Sequence, residues 1–177
     1  MSIEVIGSEI IYKGHAFNVR RDKIQFQNQN IAQLDIIDHP GAVTILPIDA
    51  EGKIIFVRQY RHAVGRELLE LPAGTLDADE APETCALREI REETGFAAGK
   101  LVELGEFFLA PGYSTECMTV YLATELHPSP LPGDADEFIT LERMPVDQAY
   151  QMALAGDLQD GKSLAALLLA RNFILPK

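Results

Sequence analysis

The chain has 177 residues, 47% of them hydrophobic, two cysteines and a formal net charge of −12 at pH 7. This length and composition suit one domain with a buried core and a small appendage. We find no bilayer-spanning run, secretory signal or disulfide framework, so we expect a cytoplasmic protein without a membrane partner. The acidic balance argues against nucleic acid as a partner, because a negative surface repels the phosphate backbone.

The first third of the chain is predicted to be mainly β-structure. Its apolar or alternating runs are short and are bounded by turn-forming residues, which is typical of strands. We predict strands at 3–12, 16–27, 31–38, 42–48 and 54–60, the last two joined by a hairpin turn. The His-Pro-Gly break at residues 39–41 predicts a boundary between an N-terminal β layer, residues 1–39, and a main domain, residues 40–177.

The rest of the chain is predicted to contain both helices and strands. Pro82 suits the first turn of a helix over residues 81–94, and Gly95 suits its end. Asp160 or Ser163 is expected to cap the last helix. The remaining predicted elements are strands at 101–109 and 117–124, a loop at 127–136, and helices at 146–155 and 163–172. Strands first, one central helix and helices at the end indicate an α+β fold.

Three glutamates of the predicted central helix share one face. Glu89 and Glu93 lie about 40° apart, and Glu92 lies about 60° to the other side of Glu89, because each helical residue turns about 100°. Like charges at this spacing repel one another, and hard oxygen ligands on one face are what Mg²⁺ or Mn²⁺ requires. The alternative is an exposed helix compensated by Arg88 and Arg91. The residues expected to face the core are Leu87, Ile90 and Thr94.

The segment 74–96 resembles the Nudix signature, in which a glycine and a glutamate precede an Arg-Glu pair, a Glu-Glu pair and a second glycine at fixed spacing. The constrained positions are filled by Gly74, Glu80, Arg88, Glu89, Ile90, Glu92, Glu93, Gly95 and Phe96. The resemblance implies the Nudix fold, an αβα sandwich around a mixed sheet. It also implies metal-dependent hydrolysis of a nucleoside diphosphate linked to another moiety.

The resemblance also implies roles for five charged residues of the segment and for Ala73 just before it. Two or three Mg²⁺ or Mn²⁺ ions would be held by Ala73, through its backbone carbonyl, and by Glu89, Glu92 and Glu93. Arg88 and Glu92 are assigned to catalysis: Arg88 orients the glutamates by ion pairing, and Glu92 binds a second ion or its waters. Glu80 would support the geometry of the loop and helix from outside the metal site.

The flanks of this segment, residues 57–74 and 110–116, resemble the ADP-ribose pyrophosphatase branch of the family. Pro111 stands at the distance from Gly95 where this branch has a proline that marks the substrate. Arg61 is expected to hold the pyrophosphate and Glu116 to accept hydrogen bonds from ribose hydroxyls. The alternatives are a strand-end salt bridge for Arg61 and a plain hairpin end at Pro111; for Arg58 the salt bridge is the favoured interpretation.

Residues 12–22 also resemble this branch, in which the N-terminal β layer pairs across a two-fold axis and completes the partner's adenosine pocket. The resemblance therefore implies a homodimer. Phe17 is the predicted residue of that pocket, and Asp35 is a weaker candidate for a polar contact. The alternative is that Phe17 belongs to the core.

The resemblance favours hydrolysis of ADP-ribose to AMP and ribose 5-phosphate. The alternatives are a pyrophosphatase for GDP-mannose or another nucleotide sugar, and a regulator that binds ADP-ribose without cleaving it. In this branch the catalytic base comes from a loop before the last helices, here residues 131–137. Glu137 is the predicted base, Asp134 and Asp136 are alternatives, and an acidic loop without a role is the remaining possibility.

Overall fold

The computed structural model of the chain describes residues 3–133 and 138–175. No helix within these ranges is long and apolar enough to cross a membrane. In chain order the described elements are β1 (Ile3–Lys13), β2 (Asn18–Phe26), β3 (Ile31–Asp38), β4 (Ala42–Pro47), β5 (Lys53–Arg61), β6 (Arg66–Glu70), β7 (Ala73–Thr75), α1 (Pro82–Thr94), β8 (Phe96–Phe108), β9 (Cys117–Pro128), β10 (Ile139–Pro145), α2 (Val146–Ala155) and α3 (Gly161–Ile174).

The chain divides into two compact units. The first contains the residues up to Gly41 together with Phe108–Cys117, and the second contains Ala42–Phe107 and the residues from Met118 onward. The later segment joins the first unit through hydrogen bonds to Ile37, whose N–H donates to Tyr113 O at 2.7 Å and whose carbonyl accepts from Thr115 N at 3.0 Å. The role of residues 1–39 in dimerisation stays a prediction.

The first unit is built on an antiparallel sheet in the order β1-β2-β3. Arg21 and Asp35 are partners in the β2–β3 register and form an ion pair of 2.7 Å across the strands. Every residue of β1 is exposed, although six of its eleven side chains are aliphatic or aromatic. A strand so poorly covered within its own unit leaves an apolar surface available to a partner.

The second unit contains a three-stranded sheet in the order β10-β5-β6 and a four-stranded sheet in the order β7-β4-β9-β8. In the larger sheet β4 pairs with β9 in parallel and with β7 antiparallel. The sheet is therefore mixed, as the Nudix resemblance implies.

Helices cover both faces of the strand β4, because successive side chains of a strand point to opposite faces. Val43 and Ile45 share a hydrophobic cluster with Cys85, Ala86 and Ile90 of α1. Leu46 belongs to a larger cluster that contains Ala149 of α2 and Ala166, Leu167 and Ala170 of α3. The predicted αβα arrangement of an α+β fold is thereby confirmed.

Most predicted elements are present, and their ends have the expected causes. Gly95 ends α1 in the left-handed conformation at φ 77°, and the Asp160 side chain caps α3 by accepting from Ser163 N. Three short strands, β6, β7 and β10, are absent from the prediction. Strand β9 also continues to Pro128, into the predicted loop, and β8 begins directly after Gly95 rather than at residue 101.

Candidate active site

Two glutamates of α1 lie on its buried side. Glu89 and Glu93 are each only 8% exposed, and Ile90 is fully buried, whereas Leu87 is 38% exposed. The prediction that Leu87 packs on the core is therefore wrong, while the predictions for Ile90 and Thr94 are confirmed. The reason is that the helix turns the stripe containing Glu89 and Glu93 toward the protein, so the carboxylates are not on an exposed face.

The backbone of the short strand β7 lies against the carboxylates of Glu89 and Glu93. A Cβ atom on Gly74 would lie only 1.9 Å from Oε1 and 2.0 Å from Cδ of Glu89, so a side chain at this position would displace the Glu89 carboxylate or the strand. The N–H of Ala73 donates to Oε2 of Glu93 at 3.3 Å. The β7 backbone therefore contacts both side chains, and its place is set by pairing of Gly74 with Val43 in β4.

Arg88 binds three of the carboxylates. Its Nε and Nη2 donate to the two oxygens of Glu80, both at 3.0 Å, while Nη1 donates to Glu89 at 2.6 Å and to Glu92 at 2.8 Å. These hydrogen bonds from Arg88 lower the pKa of Glu80 to about 2. One guanidinium thus ties the loop before α1 to the glutamates on the helix.

Cys85 lies one turn before Glu89 and is fully buried. Burial, assisted by the charges of Glu80 and Glu89, raises the pKa of its thiol to about 12. A thiol that stays protonated is a poor nucleophile. Cys85 is therefore a core residue in contact with the charged groups of α1.

The donor chemistry of this region fits a divalent cation, since carboxylate and carbonyl oxygens are the ligands that Mg²⁺ and Mn²⁺ prefer. Among the residues that the structure describes, no three His, Cys, Asp or Glu side chains are already arranged as a metal site. Nη1 of Arg88 bridges Glu89 and Glu92 instead. The residues therefore fit the ion by the chemistry of their oxygen donors, while Arg88 holds two of the carboxylates in the described arrangement.

Two arginines upstream of the segment, Arg58 and Arg61, form ion pairs. Arg58 pairs with Glu142 at 2.7 Å, as its favoured interpretation predicts. Arg61 donates twice to Glu70, at 2.8 and 2.7 Å, which corresponds to the salt-bridge alternative for this residue. Glu70 is buried and also binds Lys162. The sequence analysis overlooked Glu142, Glu70 and Lys162 as partners; for Glu70 the only signal is a charge placed between the apolar Leu69 and Leu71.

The predicted substrate residues Phe17, Pro111 and Glu116 lie in the first unit. Phe17 is 40% exposed, so it is not a core residue. It lines a cleft of about 380 Å³ formed by residues 14–18 and 38–40. Pro111 follows Ala110, whose carbonyl closes a turn by accepting from Tyr113 N at 3.1 Å. The Asp35 carboxylate is paired with Arg21.

The predicted base, Glu137, lies outside the described residues, as do its alternatives Asp134 and Asp136. Arg61, Glu70 and the charged residues of α1 all belong to the second unit. The described part of the chain therefore brings together several carboxylates that are bound by Arg88. A second arginine, Arg61, belongs to the same unit.

The sequence and the fold are both similar to those of known proteins. The model of the NUDIX domain matches residues 38–167. An ADP-ribose pyrophosphatase of Bacillus subtilis is 34% identical over 166 residues, which cover 93% of this chain and 90% of that protein. An ADP-ribose pyrophosphatase of Mycobacterium tuberculosis is 39% identical over 170 residues, covering 93% of this chain and 81% of the relative.

A solved structure is similar over nearly the whole length. The crystal structure of an ADP compounds hydrolase has a TM-score of 0.86 and 25% sequence identity, and the match covers 98% of this chain and 94% of that one. Nudix ADP-ribose pyrophosphatases are in general metal-dependent. From the matched domain, the relatives and the shared fold, the chain belongs to the NUDIX family and is a pyrophosphohydrolase.

Proposed function

We propose that the chain hydrolyses the pyrophosphate of ADP-ribose to AMP and ribose 5-phosphate, with two or three Mg²⁺ or Mn²⁺ ions. The observation that carries the proposal is the close approach of Glu89 to Gly74 beside the contact of Glu93 with Ala73. Buried carboxylates at a backbone edge form an oxygen-rich site for cations that bind a pyrophosphate. Two relatives named ADP-ribose pyrophosphatase support the choice of substrate.

Glu89, Glu93 and the carbonyl of Ala73 would hold the first ion, and Glu92 would bind a second ion or its waters. When bound, such ions neutralise charge that develops on the phosphate oxygens and lower the pKa of a coordinated water. Arg88 keeps Glu89 and Glu92 in place through Nη1, while Glu80 holds the opposite side of the same guanidinium. The arginine therefore limits the motion of carboxylates that would otherwise repel one another.

The proposed base is Glu137, with Asp134 and Asp136 as alternatives. The base accepts a proton from the attacking water, whose oxygen bonds to one phosphorus while the bridging P–O bond breaks on the opposite side. The bridging oxygen leaves with the second phosphate. Both products are then phosphate monoesters.

Substrate contacts are proposed for Arg61 at the pyrophosphate, Glu116 at a ribose and Phe17 at the adenosine, with Pro111 shaping the loop. The proposal includes a homodimer in which the N-terminal β layer of one copy completes the adenosine pocket of the other. The apolar, exposed strand β1 and the cleft beside Phe17 support it.

A substrate panel tests the proposal. The purified protein is incubated with ADP-ribose, GDP-mannose, ADP-glucose and NADH, each with Mg²⁺ and with EDTA, and the products are separated by ion-exchange chromatography. We expect the highest kcat/KM with ADP-ribose and no turnover in EDTA. A clear preference for GDP-mannose would show that GDP-mannose, and not ADP-ribose, is the substrate. Tight binding of ADP-ribose without turnover would identify a regulator.

A further inference from the structure

A buried carboxylate outside the glutamates of α1 is neutralised by two cations. The side chain of Glu70, at the end of β6, is only 2% exposed and binds both Arg61 and Lys162. Burial alone would raise its pKa, but the hydrogen bonds and charges of these two cations lower it below the ordinary value. Glu70 is therefore an anion that requires a cation as long as it stays buried.

The two cations are held in different ways. Lys162 is 10% exposed and is also bound to Asp160, whose Oδ1 lies 3.0 Å from Nζ. Asp160 in turn accepts from Ser163 N at the start of α3. Arg61 is 40% exposed and has Glu70 as its hydrogen-bonded partner. Lys162 is thus anchored from two sides, while Arg61 reaches Glu70 from the solvent side.

Arg61 also lies in the electrostatic field of the α1 carboxylates. Its pKa is raised, first by the hydrogen bonds to Glu70 and further by the negative charges of Glu70 and Glu93. Arg61 is hydrogen-bonded to Glu70, which stands three residues before Ala73, and the N–H of Ala73 donates to Glu93. A pyrophosphate held at α1 is therefore expected to lie within reach of this guanidinium. In the described structure, however, Nε and Nη2 of Arg61 donate their hydrogen bonds to Glu70.

We propose that Lys162 is a positioning residue: it keeps Glu70 neutralised, so that Arg61 can leave Glu70 and bind the pyrophosphate of the substrate. The proposal rests on the proposed function. Without Lys162, departure of Arg61 would leave a buried carboxylate with no cation, which is strongly unfavourable. Arg61 would then stay on Glu70, and the substrate would lose a charged hydrogen-bonding partner.

The proposal predicts a large effect of these substitutions on KM and a small effect on kcat. Arg61 holds a part of the substrate that carries charge before and during the reaction, so its loss weakens binding more than it slows the chemical step. Lys162→Met is expected to raise KM about tenfold or more at nearly unchanged kcat. Arg61→Met should raise KM by a similar factor. Lys53→Met, which removes a lysine from an exposed pair with Glu51 on the β4–β5 turn, is the matched control and should keep the wild-type KM.

Two double variants distinguish positioning from simple support of the fold. Adding Lys162→Met to Arg61→Met should raise KM no further, because Lys162 acts through Arg61. Adding Glu70→Gln to Lys162→Met should bring KM back close to the wild-type value, because a neutral residue 70 no longer retains Arg61. A structural role of Lys162 would give neither result.

The experiment measures steady-state kinetics of all variants, with thermal melting as the check on folding. Equal KM increases from Lys162→Met in the wild-type and Arg61→Met backgrounds, or no recovery with Glu70→Gln, would overturn the proposal. Should Lys162→Met not fold, alone or together with Arg61→Met, the double variant with Glu70→Gln decides, because it leaves no buried carboxylate without a cation: a KM near wild type supports the proposal, and a raised KM overturns it. If wild type cleaves another nucleotide sugar in place of ADP-ribose, only the substrate assignment fails, and the same variants are compared on that sugar. If wild type cleaves none, the proposed function and this inference fail together.

Discussion

Gly74→Ala is expected to disable the enzyme while leaving the rest of the fold in place. The added Cβ would lie 1.9 Å from Oε1 of Glu89, whereas heavy atoms that are not bonded rest about 3.5 Å apart. Either the carboxylate or β7 must therefore move by roughly 1.5 Å. A displacement of this size at groups that position a reaction costs about 100-fold in turnover.

The assay measures kcat for ADP-ribose over a titration of Mg²⁺, together with thermal unfolding. We expect kcat to fall at least 100-fold, by the estimate above, a higher Mg²⁺ requirement and a loss of about 1–3 kcal/mol in the free energy of unfolding, typical of an overpacked contact. Gly161→Ala is the matched control, since a Cβ at that position meets nothing within 4 Å. A folded Gly74→Ala protein with wild-type kcat and Mg²⁺ dependence would refute the argument that this contact shapes the active site.

Four further predictions address the base, the metal ligands, the assembly and acid stability. Glu93→Gln should keep its melting temperature but lose turnover by about 100-fold or more, because an anionic ligand of the metal is lost; wild-type kcat at limiting Mg²⁺ would contradict this. Glu137→Gln should lower kcat and leave KM and metal affinity nearly unchanged. If kcat is lowered in Asp134→Asn or Asp136→Asn instead, the base is a different acid of the same loop. Light scattering at micromolar concentration should give twice the chain mass of 19.5 kDa, and an active monomer would exclude the shared pocket. The pKa of Glu80 is lowered to about 2. Its ion pair with Arg88 therefore stabilises the fold fully at pH values above the ordinary carboxyl pKa, and this contribution is lost as the pH falls toward 2. The acid unfolding curve of Glu80→Gln should lack that pH-dependent contribution.

The local part of the fold could be predicted from the sequence because its causes are local. Gly95 and Asp160 mark helix ends by their own backbone and side-chain preferences, and both act as expected. The alternation in β4 likewise follows from strand geometry, which places Ile45 and Leu46 on opposite faces. Strands of three or five residues, such as β7 and β6, carry too little pattern to be distinguished from loops.

The parts that escaped prediction depend on contacts between distant residues. The exposure of Leu87 reflects which side of α1 meets β7, and helical spacing alone does not determine that side. The pairing of Glu70 with Lys162 joins residues 92 positions apart. The segment Phe108–Cys117 joins the first unit through hydrogen bonds to β3. None of these contacts has a signature within a short window of sequence.

The pairing of Gly74 with Val43 also bears on how the protein folds. Strand β7 is held to β4 by three register pairs, and its glycine is flanked by Ala73 and Thr75. A slip of one residue would place a side chain where Glu89 must fit and would turn the strand over. Helix α1 can therefore dock with Glu89 buried only on a correctly paired strand. The register of β7 and the burial of Glu89 are therefore a single structural requirement, and a substitution that shifts the strand is expected to expose this carboxylate.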